Sequence, residues 1–393
     1  MTRTAPSVPV PDLGDEALAA VTAELATTAA EYDESGAVPV SGLEAAHRAG
    51  LLTATVGKAY GGPGFGPRDA ARILIALGEG DPSVALIVAN TLAAHTAQAA
   101  NAHWPRALYE DVLRRSADGP APINAIRAEP ELGAPARGGL PKTTATRTGS
   151  GWLLSGHKSY ATGGTALAYH TVWAVADEPG GDPAAPRVGH VLVPGDAPGI
   201  SWLSTWDHLG LRASNTHDVI YDQVEVPADA FVEIPRGADG VYRDPAAMAG
   251  PASLGHPALY IGVARAARKA FAEFAHSRVP SALGRPIATT ERIQSVAGEL
   301  DLRIAQAETL LYGALLRIET GDAAVLPQLP VLKVAIARTV IAAVQAAVSA
   351  LGNPALSRRN ALERHLRDVL CVRVHPPQED FALLAAGRRS LGL

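Results

Sequence analysis

The stretch Gly156-His157-Lys158-Ser159-Tyr160-Ala161-Thr162-Gly163-Gly164 decides how this chain is read. It is a β-prone run closed by two glycines, and glycine lets backbone N–H groups come close to a flat ring. The same pattern also describes a plain hairpin with a glycine turn. Around it lie further short β-prone runs, Thr171 to Ala176, Val188 to Val193 and Val219-Ile220-Tyr221, punctuated by glycine, proline and aspartate. An antiparallel β domain is therefore predicted over 120–235. Upstream, Leu18, Val21 and Leu25, then Leu43, Ala46 and Leu51, recur at roughly helical spacing, and Asp81-Pro82-Ser83 reads as a helix start before the apolar run Val84 to Leu92. Downstream, helical stretches run from Ala247 to Ser277, Thr289 to Gly321, Pro327 to Gly352 and Ser357 to His375. Long apolar helices joined by short turns pack as a bundle. The expected fold class is α+β: an N-terminal helical domain over 1–119, the β domain over 120–235, and a C-terminal four-helix bundle over 236–393.

Composition narrows the function. The chain has 393 residues, 47% hydrophobic and 19% charged, with a net charge of −5. Such a chain is not disordered, and its mildly acidic balance speaks against nucleic-acid binding, which needs a basic face. Cys371 is the single cysteine, and the first residues, Met1 to Pro6, lead into no apolar signal region, so a cytoplasmic protein is expected. Val331 to Leu351 is the most apolar stretch, but Lys333, Arg338 and Gln345 interrupt it, and no membrane span is expected. Gly62-Pro63-Gly64-Phe65-Gly66 lacks the spacing of a dinucleotide loop. No metal motif and no Gly-x-Ser-x-Gly elbow occurs.

Five strings in order carry a resemblance. They are Tyr60-Gly61-Gly62-Pro63-Gly64, Glu129-Pro130, Gly156 to Gly164, Leu209 to Thr216 and Val224-Glu225-Val226-Pro227. Together they resemble the acyl-CoA dehydrogenase superfamily over nearly the whole chain. The resemblance implies a homotetramer with a flavin, FAD or alternatively FMN, between the β domain and the C-terminal bundle, and no metal. It puts Thr162 at the reactive edge of the flavin ring and Tyr160 beside it, with Ser159 and Asn124 shaping the same face. Asn124 is equally a turn-capping residue. Arg278 matches the arginine that reaches a neighbouring subunit's flavin pyrophosphate, and Gln294 falls where the family often has glutamine. His95 and Asn90 are polar exceptions on the helix from Ser83 to Ala100, which borders the implied cleft, so His95 is a second catalytic candidate and Asn90, with Trp206 and His208, a candidate for the substrate pocket.

The sequence departs from the dehydrogenases at their base. Those enzymes need a carboxylate to take a proton from the acyl thioester. Beyond Arg367-Asp368, the expected Tyr-Glu pair is replaced by His375-Pro376, and no Asp or Glu occurs between Asp244 and Glu273, the second family location. A histidine there resembles the flavin-dependent monooxygenase branch, in which a separate reductase supplies reduced flavin and O2 oxidises a small-molecule substrate, free or carrier-bound. An imidazole titrates near neutrality, so His375 is expected as the acid/base. Two alternatives stand beside this: a dehydrogenase or oxidase without the glutamate, and a non-catalytic tetrameric scaffold.

Overall fold

The computed structural model describes residues 8–132, 139–182, 185–237, 242 and 250–393. Five helices open the chain: α1 (Asp15–Ser35), α2 (Val40–Arg48), α3 (Pro67–Gly80), α4 (Pro82–Ala100) and α5 (Arg106–Asp118). The start of α4 follows from local chemistry. Asp81 caps it, its carboxylate accepting from the N–H of Ser83 at 2.8 Å and of Val84 at 3.4 Å, with Pro82 in the first turn.

Eight strands follow in one sheet: β1 (Ile123–Ile126), β2 (Thr144–Arg147), β3 (Gly151–Ala161), β4 (Tyr169–Asp177), β5 (Val188–Pro194), β6 (Ile200–Leu203), β7 (His217–Pro227) and β8 (Phe231–Glu233). Their order is β6-β7-β3-β2-β4-β5-β8, with β1 also on β4. The sheet is mixed, not antiparallel as expected: β1 and β2 both run parallel to β4, one pairing with Tyr169–Val172 and the other with Val175–Asp177. Tight turns force antiparallel pairing, but β1 and β2 are reached through longer connections, and their four residues carry no signal of direction. Along the edge of β4 the two strands lie end to end. The gap between them admits the end of β3, where Ser159 N–H donates to Ala128 C=O at 2.9 Å.

The C-terminal helices are α6 (Gly255–Ser277), α7 (Glu291–Glu319), α8 (Leu329–Leu351), α9 (Ala361–Leu370) and α10 (Glu379–Ser390). The last helix, predicted to reach His375, runs as α9 only to Leu370 and continues as a single tighter turn over Cys371–Arg373; Pro376 and Pro377 have no N–H with which to extend it. Residues 247–249 of the first predicted helix lie outside the described residues. With the turn before it, α8 matches a membrane span by length and composition, yet it packs into the protein: Ile336, Val340, Ile341 and Val344 all belong to the core.

That core is common to the N- and C-terminal helices. It forms where α3 crosses α6 at backbone distance: a Cβ on Gly78 would sit 2.1 Å from the Leu259 carbonyl, and one on Gly262 would sit 2.2 Å from that of Ile75. A second core joins the sheet to Trp104, Tyr109, Val112 and Leu113 at the end of the N-terminal helices.

Candidate active site

The Gly156–Gly164 stretch forms β3 and the turn after it. Pairing with β7 slips between Lys158 and Ala161, so Ser159 and Tyr160 form a bulge. Tyr160 sits there at φ 62°, a strained conformation for a bulky residue, and its side chain is exposed. Beneath it, Lys158 is fully buried and donates to the equally buried Glu129 at 2.7 Å; the same carboxylate accepts from Lys142 N–H, Thr143 N–H and the Thr143 hydroxyl. This network holds the bulge to the gap between β1 and β2.

The turn itself is fixed from three sides. Asn124 Oδ1 accepts the Thr162 N–H at 3.1 Å, Ser214 C=O accepts the Gly163 N–H at 2.9 Å, and the hydroxyls of Thr162 and Thr216 lie 3.2 Å apart. Gly164 has to be glycine: its φ is +50°, and a Cβ would fall 2.1 Å from Asn215 Oδ1. Ile87 of α4 packs against Gly163, and Asn90 lies one helical turn further along α4.

His375 belongs to a second cluster built by α6, α8 and the chain after α9. Its ring stacks on His256 with centroids 4.2 Å apart and planes 19° from parallel, and its Nε2 lies 2.6 Å from the Tyr260 hydroxyl. His256 and Tyr260 are four residues apart on α6 and so share a face. The ammonium of Lys333, buried on α8, donates to the carbonyls of Val372 at 3.0 Å and His375 at 2.9 Å, fixing the backbone of the segment. Burial holds His375 well below the usual imidazole range, with His256 and Lys333 adding to the effect. His256 is pushed down to about 4, by burial first and then by the charges of Lys333 and Arg127. Arg127 directly follows β1, so His256 lies within electrostatic reach of the end of the strand that carries Asn124. The expectation that His375 titrates near neutrality is thus corrected: it is neutral at pH 7 because its desolvated ring has only cationic or neutral neighbours.

The other expected residues fall as follows. Asn124 and Thr162 meet through the hydrogen bond above, which occupies the Asn124 carbonyl and leaves its NH2 group as the possible ring donor. The Ser159 hydroxyl donates to Asp218 at 3.0 Å, which His157 also contacts, so that hydroxyl is committed to the sheet. His95 is fully buried, bonded through Nδ1 to the Tyr109 hydroxyl at 2.9 Å in an aromatic cluster with Trp104; this is a core position, since an open cleft does not reach it. Trp206 and His208 stack on each other at 3.6 Å, with Trp206 Nε1 donating to Leu211 C=O. Arg278 and Gln294 are exposed and share one corner, where the Arg278 carbonyl accepts from Ile287 N–H and Gln294 donates to Ala288 C=O. Among the described residues no group of three or more His, Cys, Asp or Glu side chains could hold a metal.

Sequence reading missed Tyr260, His256, Lys333 and Arg127. The four-residue spacing of His256 and Tyr260 in the apolar first half of α6 was a readable signal. Nothing in the sequence tied either residue to His375, more than a hundred positions away.

Comparisons with known proteins place the fold in a family. Three models of the acyl-CoA dehydrogenase family match: the N-terminal domain over residues 12–108, the middle domain over 125–224 and the C-terminal domain over 254–377. L-evernosamine nitrososynthase of a Micromonospora species is 31% identical over 328 residues, 81% of this chain and 72% of that protein. Cyclohex-1-ene-1-carbonyl-CoA dehydrogenase of Geobacter metallireducens is 25% identical over 373 residues, 94% of each. The structure of KijD3, solved with FMN and a dTDP-linked 3-amino-4-keto sugar, superimposes with a TM-score of 0.79 at 26% identity, covering 100% of this chain and 97% of that one. The chain belongs to the acyl-CoA dehydrogenase family.

Proposed function

We propose that this flavin-type oxidoreductase works as the oxygenase half of a two-component system, taking reduced flavin from a separate reductase and using O2 to oxidise a small molecule at carbon, nitrogen or sulfur. The observation that carries the reading is the composition of the catalytic edge. Where the family's dehydrogenases hold a carboxylate base, His375 stands stacked on His256, and no carboxylate of a described residue hydrogen-bonds to either ring. An imidazole whose protonated form is disfavoured by its neighbours is a weaker base than one that titrates near the working pH.

The residues present fit a flavin. Tyr160 offers an exposed ring face held at positive φ and Thr162 a buried hydroxyl on one turn, and Asn124, bonded to that turn from β1, offers an amide donor. When bound, the flavin supplies two electrons. In a homotetramer, Arg278 and Gln294 of a neighbouring subunit would hold the pyrophosphate of FAD; FMN would do without them. The similarity to a nitrososynthase makes an amine nitrogen the first acceptor to try.

The test is to add chemically reduced FMN or FAD to the purified protein, admit O2 and follow absorbance in a stopped-flow instrument. A long-lived near-ultraviolet species preceding oxidised flavin supports the oxygenase. Immediate return of free oxidised flavin, or bleaching of tightly bound flavin by acyl thioesters, overturns it in favour of the dehydrogenase.

A further inference from the structure

The Tyr260 hydroxyl is buried, and its hydrogen-bond partner among the described residues is His375 Nε2 at 2.6 Å. A phenol can donate or accept, and the two choices differ in cost. If Nε2–H donates, the buried Tyr260 O–H has no acceptor, a loss of about 1–3 kcal/mol. If Tyr260 donates, both atoms are satisfied and Nε2 has to be the bare nitrogen. A neutral imidazole carries one proton, so that proton sits on Nδ1. A doubly protonated ring would again leave the phenol unpaired, and every charged group felt by His375 or His256 works against it.

The surroundings hold the ring in this orientation. His256 stacks against one face, and Lys333 clamps the His375 carbonyl. His375 is half-buried, and its Nδ1, unlike that of His256, is not an enclosed nitrogen without a partner. The groups facing the cluster are His256 and Tyr260 from α6, Lys333 from α8 and Arg127 beyond β1. Behind these, Asp368 and Cys371 act on Tyr260, and Glu379 acts on Lys333.

We propose that Tyr260 is a positioning residue that fixes His375 as its Nδ1–H tautomer, so that the ring presents a neutral N–H donor to the site in place of a basic nitrogen. This rests on the reading of His375 as catalytic and changes its role. A fixed N–H donor stabilises negative charge developing on an acceptor oxygen, and it needs no proton of its own to leave.

Long-range 1H–15N correlation of the full-length protein labelled with 15N-histidine reads the tautomer directly, with His375 assigned by the signals lost in H375Q. The expected result at pH 7 is a protonated Nδ1 and a bare Nε2. Y260F should move the ring toward Nε2–H, and H256F, which keeps a stacked ring, should leave it as Nδ1–H. A wild-type Nε2–H ring, an unchanged ring in Y260F, or a switch in H256F each overturns the proposal. In the reduced-FMN experiment, Y260F should shorten the lifetime of the oxygen-dependent species about tenfold, the loss of one well-placed hydrogen bond. If H375Q decays at the wild-type rate, the catalytic reading of His375 falls while the tautomer assignment still stands or falls on the spectra.

Discussion

The Asp368 carboxylate, buried on α9, accepts the backbone N–H of Leu211 at 2.7 Å across 157 positions of sequence. Beside it, Gly210 lies so close to α9 that a Cβ would sit 2.4 Å from the Arg367 carbonyl. Arg367 donates to Leu209 C=O at 2.9 Å and to both oxygens of Asp33 on α1, at 3.0 and 2.6 Å. The Arg-Asp pair therefore ties the sheet's Leu209–Leu211 loop and the first helix to the helix that leads to His375.

Asp368→Ala should destabilise the protein by about 1–3 kcal/mol, because it leaves the buried Leu211 N–H unpaired. Asp368→Asn keeps an acceptor and removes a charge. Burial pushes the Asp368 carboxyl up to about 7, so the folded state holds its proton more tightly than the unfolded chain does. Its stabilising effect is complete below pH 4 and is lost as pH rises through 7. Measured by denaturant unfolding, Asp368→Asn should gain on the wild type between pH 5 and 8 by at least about 1.4 kcal/mol, the value of one pKa unit. A constant difference across that range would refute the assignment.

Buried histidines set the acid limit. Burial pushes His95, His170 and His256 down to about 4 and His365 to about 3, and His375 is also held low. For a lowered imidazole the stabilisation is complete above pH 6.5 and is lost as pH falls toward the folded value. Asp81 and Asp368, both raised, act in the opposite direction over the same interval. These histidines, joined by the lowered His47, His208 and His217, outnumber the raised Asp81, Asp368 and Glu79, which leaves net proton uptake on unfolding, so stability should fall between pH 6.5 and 4 by about 1.4 kcal/mol per pH unit for each net proton. Unfolding free energies measured across that interval check the slope; a flat profile would contradict it.

Tyr160→Gly should raise stability by about 1 kcal/mol, since glycine accepts a φ of 62° without the strain of a bulky residue. The same change removes the exposed ring face proposed to lie against the flavin, so FMN affinity should fall about tenfold or more. Thermal unfolding and fluorescence titration with FMN read the two effects separately. Gains in both would detach Tyr160 from the cofactor.

Glu129→Gln leaves the Lys158 ammonium buried without a counter-charge, a change that costs about 3–5 kcal/mol in comparable pairs. The double variant Glu129→Gln, Lys158→Met should recover part of that loss. If the single and double variants unfold at the same denaturant concentration, the ion pair is not what holds the bulge.

Much of this architecture was legible in the chain itself. Helical periodicity, the Asp81 cap and the glycines at 163 and 164 are local signals, because a cap, a turn or an amphipathic face is specified within a few residues. The order helix, sheet, helix followed from them, while the replacement of the family's Tyr-Glu pair by His375-Pro376 was visible only through the resemblance to that family. What only the tertiary structure decided is the environment of those residues. The parallel direction of β1 and β2 depends on partners far along the chain. The neutrality of His375 depends on a ring from α6, an ammonium from α8 and the burial they create. Desolvation and charge are properties of neighbours in space, and a sequence names the imidazole but not what surrounds it.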